Sequence, residues 1–544
     1  MTDHSQLDPR PGPDGEIAVE AWVRTSADRT EAMQPLVSQW RPAETPVFSA
    51  YDATDTGGLL CAGHYGAVFD GRHVYYCPIR PFRRRDSVHG HVLRCDTHAD
   101  FHDPAAWEAF DAGNTDGLTT VSYYGASFDG RHVIFTPRED LQGYHSRVLR
   151  FEVGRPFGDP ASWSAHDAGL PVSGQGAATD GRYVYFPPGY ESVPGRPFDE
   201  SVPSGRVLRM DTHGEFRDPG SYQVFDTSRL SPEAVCFDGG AFDGRYIYLV
   251  PLIHGVVARH DTLGSFDDPA SWEVHDARPH GLGMNVGAVF DGRWLYFCSY
   301  GHSRMVRYDT TRPFADADAW ESREAGGTDG LDTGGFDGGF FDGRYVYYCP
   351  WTRRAAAGEI PFHCNFLRYD TTRPFAEAGS WSGFDASRTD GLHTLGYNAG
   401  AFDGRYFYGA PLFDGRGEAY HGRVLRCDTL GDGGAFSLRY GDYGHNGGLC
   451  AAVPGPSFLI NTEQGVRGVA AYRRLKPGAH HLSGVYDGRS LSLYVDGELA
   501  ARRQASGRLV ACDAEVTVGE LSGGSARFEG TVERARITPA AVRP

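Results

Sequence analysis

One string recurs along this chain and restricts its fold more than any other feature. Asp-Gly-Arg introduces a similar strand seven times, starting at Asp70, Asp129, Asp180, Asp243, Asp291, Asp342 and Asp403. The spacings are 59, 51, 63, 48, 51 and 61 residues, the length of one small sheet repeated in tandem. Six copies carry Phe before the Asp, and the third carries Thr179.

Each repeat has four pieces. A small-residue strand such as "YGAV" leads into the Asp-Gly turn, where glycine tolerates positive φ. An alternating aromatic and β-branched strand such as "RYVYYCP" follows, and its proline, lacking a ladder donor, ends it. The third piece is "GRVLRCDT" at 422–429, matched by "GRVLRMDT" at 205–212. The fourth is "AWEAFDA" at 106–112 or "SWEVHDA" at 271–277. Four short antiparallel strands per unit predict an all-β chain of β-propeller blades. The period-2 alternation excludes a helical repeat.

Residues 450–474 degenerately match the first three strands of a further unit, with Pro454-Gly455 at the turn. "VFSAYDA" at 47–53 matches a fourth strand, with Phe48 for Trp and Tyr51-Asp52 for Phe-Asp. The expectation is therefore an eight-bladed propeller over 47–474, its last blade closed by 47–53; seven blades is the alternative. Ring closure of this kind covers reactive sheet edges.

The flanks have a different texture. "EIAVEAWVRTSADRTEAMQPLVSQW" at 16–40 precedes the repeats, and "HHLSGVYDGRSLSLYVDGELAARR" at 480–503 and "VTVGELSGGSARFEGTVERARI" at 516–537 follow them. Tyr486-Asp487-Gly488 and Tyr494-Val495-Asp496-Gly497 read as hairpin turns between apolar alternating strands. With Trp22, Trp40, Gly519, Phe528 and Gly530, these segments resemble a laminin-G-like, concanavalin-A-like domain. The resemblance implies a β-sandwich split into 16–46 and 475–544, with the propeller inserted between its halves. A propeller brings its own ends together, so such an insertion is physically reasonable. Residues 1–15 read as a flexible arm without an apolar signal core.

A net charge of −18 disfavours nucleic acid and anionic membrane as partners. No run is long enough for a membrane helix. The ten cysteines form no CxxC or zinc spacing, so buried free thiols in the cytoplasm are expected. Nucleophile-elbow, P-loop and HExxH patterns are absent.

Seven copies of one arginine point to support, not catalysis. Arg72, Arg131, Arg182, Arg245, Arg293, Arg344 and Arg405 are expected to pair with third-strand acids such as Asp96, Asp211, Asp261, Asp309, Asp370 and Asp428. His89, His145, His254, His302, His363 and His421 also recur, each before a third strand. Equivalent positions on separate blades lie too far apart for one metal, so they too read as support.

Chemistry is expected where the repeats differ, at the entrances to the first strands. These read His64-Tyr65, Tyr123-Tyr124, Gly174-Gln175, Phe237-Asp238, Asn285-Val286, Phe336-Asp337 and Tyr397-Asn398. The ligand-binding candidates are His64, Tyr65, Tyr123, Tyr124, Asn285, Tyr397, Asn398 and, from "YGHNGG", Asn446. Aromatics give contact area and amides orient polar groups. Asp238, Asp337, His64 and His445 are the acid–base candidates. No cofactor is required, although Asp238 and Asp337 would suit a hard cation such as calcium. The leading expectation is a non-catalytic protein that binds a carbohydrate or other polar small molecule. A hydrolase or lyase using the channel carboxylates is the alternative, and a protein-interaction scaffold the third.

Overall fold

A computed structural model describes residues 7–544 apart from 14, 26–31, 354, 356–358, 442–444, 448 and 453; for 85 and 445–447 it describes the backbone alone. Part of the N-terminal arm therefore lies outside the described residues. The described elements are β-strands and three-residue 3-10 turns.

Seven four-stranded antiparallel units carry the repeats and resemble propeller blades. The first comprises His64–Phe69, His73–Pro78, His91–Asp96 and Trp107–Asp111 in that order. First strands of successive units lie side by side. His64–Phe69 packs between Tyr123–Phe128 and Tyr397–Phe402, and Asn285–Phe290 packs between Phe237–Phe242 and Phe336–Phe341. Between the second and third units, Gly176 N donates to Tyr124 O at 2.9 Å. The first strands thus surround a common axis.

In five units a ring of the fourth strand packs on the neighbouring unit's fourth strand. Phe110 stacks on Trp163 at 5.0 Å and Phe225 on Trp272 at 4.5 Å. Tyr51 takes the same place against Trp107, at 5.0 Å and 10°. Its strand, Val47–Asp52, pairs with Arg423–Asp428 of the seventh repeat. This corrects the expected eighth blade, because 47–53 does not complete a sheet formed by 450–474. The seventh repeat lacks a Trp-bearing fourth strand of its own, and the early segment supplies it. Ser457–Thr462 and Gly465–Ala470 instead join a sheet with Gly434–Arg439, Pro35–Trp40 and Val516–Val518.

A second five-stranded sheet contains Ile17–Thr25 between Gly478–Tyr486 and Thr531–Thr538, with Ser490–Val495 and Glu498–Gln504 beyond. Apolar residues of both sheets, among them Val19, Leu36, Phe436, Phe458, Leu482 and Ile537, share one core. Burying such side chains contributes about 1.5–3 kcal/mol each. Asp487 and Asp496 turn the hairpins as expected, Asp487 Oδ1 accepting from Ser490 N at 2.6 Å.

The Asp-Gly-Arg turns face this sandwich. Arg474 Nη2 donates to Gly244 O at 2.6 Å, and Arg503 Nη2 to Asp70 O at 3.3 Å. Each turn is stitched by its own Asp: Asp243 Oδ1 accepts from Arg245 N and Tyr246 N, and Oδ2 from Tyr248 OH at 2.8 Å. The repeated arginines find partners as expected, Arg245 with Asp261 at 2.7 Å and Arg405 with Asp428 at 2.6 Å. In the second repeat the partner is Glu152, at 2.8 Å from Arg131. All ten cysteines are free thiols, nine of them buried. Among the described residues no helix is long and apolar enough to cross a membrane.

Candidate active site

The first strands begin at the end of the axis remote from the sandwich, and there each strand bends. Its third residue has left-handed φ: Gly66, Gly125, Gly176, Gly239, Gly287, Gly338 and, alone among them with a side chain, Ala399 at 49°. Ladder register shifts at the same place in six units, for example between Phe237 and Gly240. Such a bulge re-aims side chains. The first residue of each entrance pair turns into its own blade. His64 meets the Tyr76 ring at 5.8 Å, Tyr123 meets Phe135 at 5.9 Å, and Tyr397 OH donates to Arg423 O at 2.9 Å. Asn285 is fully buried.

The second residues meet one another across the axis. Tyr124 OH donates to Asp238 Oδ2 at 2.9 Å, linking the second unit to the fourth. Gln175 Nε2 donates to the same oxygen at 2.8 Å. Asn398 Nδ2 donates to Asp337 Oδ2 at 2.5 Å. Tyr65 lies 4.3 Å from the Tyr124 ring. Asp238 and Asp337 are each 2% exposed, and Oδ1 of both, like Oδ1 of Asn398, has no hydrogen-bond partner.

Burial sets the protonation of this pair. Desolvation pushes the Asp238 carboxyl up to about 7, against the stabilising Tyr124 hydroxyl, the Arg138 charge and the Gln175 amide. Asp337 is raised well above the usual carboxylate range, first by desolvation and then by the charge of Asp238, with only the Asn398 amide opposing. Near neutrality one acid therefore ionises before the other, the arrangement that separates a base from an acid. The two titrate as a coupled pair. His64, by contrast, is held neutral by burial, its pKa well below the ordinary histidine value. Both its ring nitrogens lack partners inside the blade.

The sandwich supplies the floor. Between its neighbouring strands Gly434–Arg439 and Ser457–Thr462 the chain runs into the axis and back. His445–Gly447 pairs antiparallel with Phe336–Phe341, and Ala451–Ala452 pairs parallel with Tyr123–Phe128. At the tip Leu449 O accepts from Ala177 N at 3.0 Å, and Cys450 Sγ from Ala126 N at 3.3 Å. A Cβ on Gly125 would stand 2.0 Å from Leu449 O, so the absence of a side chain there admits the finger. The backbone of His445 and Asn446 thus lies in the axis; their side chains lie outside the described residues.

The rim comes from residues that follow the strand-ending proline or its equivalent: Arg138, Tyr300 and Trp351 above all. Trp351 Nε1 donates to Tyr300 OH at 3.2 Å. With Phe362, Phe413 and Tyr420 they form an aromatic wall. Arg138 lies over Tyr124 at 4.5 Å and Tyr65 at 5.2 Å. Sequence reasoning missed these rim positions. The signal was available, since an antiparallel hairpin that pairs Tyr123 with Pro137 must carry residue 138 on to the same mouth.

Five of the recurring histidines, His89, His145, His302, His363 and His421, bond a backbone carbonyl and act as blade supports, whereas His254 is exposed, with φ of 67°. His89 Nε2 bonds Ala62 O at 3.1 Å and His421 Nε2 bonds Leu395 O at 2.8 Å, while the Nδ1 atoms accept from His91 N and Arg423 N. Among the described residues no group of three or more His, Cys, Asp or Glu is arranged to hold a metal. Asp238, Asp337 and the Asn398 carbonyl supply the free oxygens a hard cation would need.

Residues 420–544 match the family described as the Concanavalin A-like lectin/glucanases superfamily, which makes this a laminin-G-like domain region. No curated protein sequence matches the chain. A streptogramin B lyase structure is similar at 10% identity and TM-score 0.43, over 70% of this chain and 97% of that one. Virginiamycin B lyase from Staphylococcus aureus is similar at 10% identity and TM-score 0.40, over 71% and 100%. The β-propeller domain of Cps50 (Swd1) from Myceliophteria thermophila is similar at 11% identity and TM-score 0.40, over 68% and 96%. The expectation of a non-catalytic recognition protein is corrected here. What bears on it in this chain is that the mouth carries two buried carboxylates with raised pKa values, each with an open oxygen.

Proposed function

We propose that this chain is an enzyme that cleaves a polar substrate by acid–base chemistry, a lyase or hydrolase, at the mouth of a seven-bladed propeller. One observation carries the reading: Asp238 and Asp337 are buried together, titrate apart, and each keeps an unbonded oxygen. Asp238, which loses its proton near neutrality, is the base. It takes a proton from the carbon next to the leaving group, or from an attacking water. Asp337, still protonated, gives its proton to the departing atom. Solvent exchange returns both to their starting states. Tyr124 and Gln175 fix the base, and Asn398 orients the acid. General acid–base action of this kind contributes about 10²–10⁴-fold. Seven blades is the reading favoured by the pairing of Val47–Asp52 with the seventh repeat.

Activity profiling across polar esters, lactones and glycosides should find turnover that Asp238→Asn and Asp337→Asn both abolish. Retained turnover in both variants rejects the assignment. An unsaturated product marks elimination, and incorporation of labelled water marks hydrolysis. Running the same assay with calcium and with chelator tests the alternative use of the two acids as cation ligands.

A further inference from the structure

The acid–base reading leaves Arg138 without a task, and its surroundings specify one. Its side chain is 15% exposed, and Nε and Nη1 have no hydrogen-bond acceptor. The nearest carboxylate, Glu139, stands 4.0 Å from Nε and is bound by Arg80. The guanidinium rests on the Tyr65 and Tyr124 rings, which fixes its plane without using its N–H groups. Tyr124 also donates to Asp238, so cation and base share one ring between them. A desolvated guanidinium with idle donors is a ready partner for a carboxylate.

Two further features agree. The protein is strongly acidic, yet this side of the mouth carries Arg80, Arg83 and Arg138, all of which act electrostatically on Tyr420. The aromatic wall with Tyr300 and Trp351 adjoins them, since Tyr65 and Tyr420 belong to the same cluster. Tyr300 feels the charges of Asp337, Asp238 and Arg138 alike, so the wall borders the reacting pair.

We infer that the site takes an organic monocarboxylate bearing an aromatic or similarly flat apolar group, with the carboxylate on Arg138 and the ring against Tyr300 and Trp351. This rests on the acid–base reading of the same mouth and adds the substrate class. A carboxylate placed there also directs the base. The proton taken by Asp238 then lies on the substrate close to the anchored group, and the guanidinium stabilises negative charge that develops beside it.

Phenylacetate and its neutral analogue phenylacetamide serve as probes, titrated calorimetrically into the full chain. Phenylacetate should bind at least tenfold more tightly than the amide, and Arg138→Gln should erase that difference. Equal binding of the two probes, no binding of either, or a preference that survives Arg138→Gln overturns the inference. If the variant does not fold, a crystal of the unaltered protein soaked with phenylacetate decides. The carboxylate should lie within hydrogen-bond distance of Arg138 Nε or Nη1, and a carboxylate bound elsewhere overturns the proposal. Neither measurement reads turnover, so failure here leaves the roles of Asp238 and Asp337 to their own test.

Discussion

The strand Phe237–Phe242 holds a buried aspartate near one end, and the turn after its other end holds a second. Asp243, in the repeated turn, spends both oxygens on Arg245 N, Tyr246 N and Tyr248 OH. Asp238, at the mouth, spends one oxygen on side chains from two other blades and leaves the other idle. Both are less than a tenth exposed. In this unit the turn aspartate completes its bonding and the mouth aspartate does not, and a buried polar atom left unpaired costs about 1–3 kcal/mol. At the sandwich end six of the seven turn aspartates place Oδ2 on a neighbouring side chain. Asp342 is the exception, with Oδ2 unbonded and its carboxyl also pushed up to about 7. At the remote end the entrance pairs differ, except that Phe-Asp occurs twice.

Exchanging the two aspartates' roles by mutation should give opposite outcomes. Asp238→Asn or Asp337→Asn should lower turnover by about 10²–10⁴-fold and shift folding stability by less than about 1 kcal/mol, because an amide removes the burial cost of the carboxylate. Asp243→Ala should lower stability by about 2–4 kcal/mol, read by urea unfolding, while turnover per folded molecule stays the same. If Asp243→Ala also removes turnover from folded protein, the two ends are not separable.

The pH profiles should divide in the same way. Turnover should fall about tenfold per unit below about pH 7, as Asp238 takes up its proton, and Asp243→Ala should leave that limb in place. Stability should follow the histidines. Burial lowers His89 to about 3 and His145 and His421 to about 4. These rings bind protons in the unfolded chain near 6.5 but not in the folded one. Their contribution is therefore complete above 6.5 and lost as pH falls toward 4, by about 1–2 kcal/mol per ring at pH 5. Asp238, Asp337 and Asp342, all raised by burial, work in the opposite direction and favour the folded state as pH falls. The histidine part is therefore read by difference: the urea midpoint of His145→Gln should gain on that of the unaltered chain between pH 7 and 5, and no relative gain would count against a buried neutral ring. The smallest effect belongs to Arg245→Ala. This ion pair is 55% and 23% exposed, so it should cost at most about 1 kcal/mol and leave turnover unchanged.

Much of this contrast was legible in the chain. Repetition identified the arginines and histidines as supports, because seven equal environments need equal residues. Irregularity located the mouth, and Asp238, Asp337, Tyr65, Tyr124 and Asn398 do meet there. Sequence alone did not say which member of each entrance pair faces the axis. That depends on the bulge, whose mark is the residue in left-handed conformation just after the second member. Gln175 stands between glycines, and an amide there gives no local sign of its bond to Asp238. Arg138 and Tyr300 were out of view because they sit on another strand, across a hairpin. The segment 450–474 misled because apolar alternation fits a sandwich strand as well as a blade strand. Its ladder partner is the sandwich strand 434–439, which pairs in turn with 35–40 from the far end of the chain, and no local pattern records such pairing.

The finger through the axis makes the two bodies a wheel and its axle. Val47–Asp52 pairs with Arg423–Asp428, so the strands that close the repeats all precede the finger in the chain. A mutation in the sandwich can then reach the mouth without touching a blade strand, because Trp40, Leu459 and Leu521 share a core with Val289 and Tyr348 of the blades, and Leu449 packs with Tyr123 and Phe135.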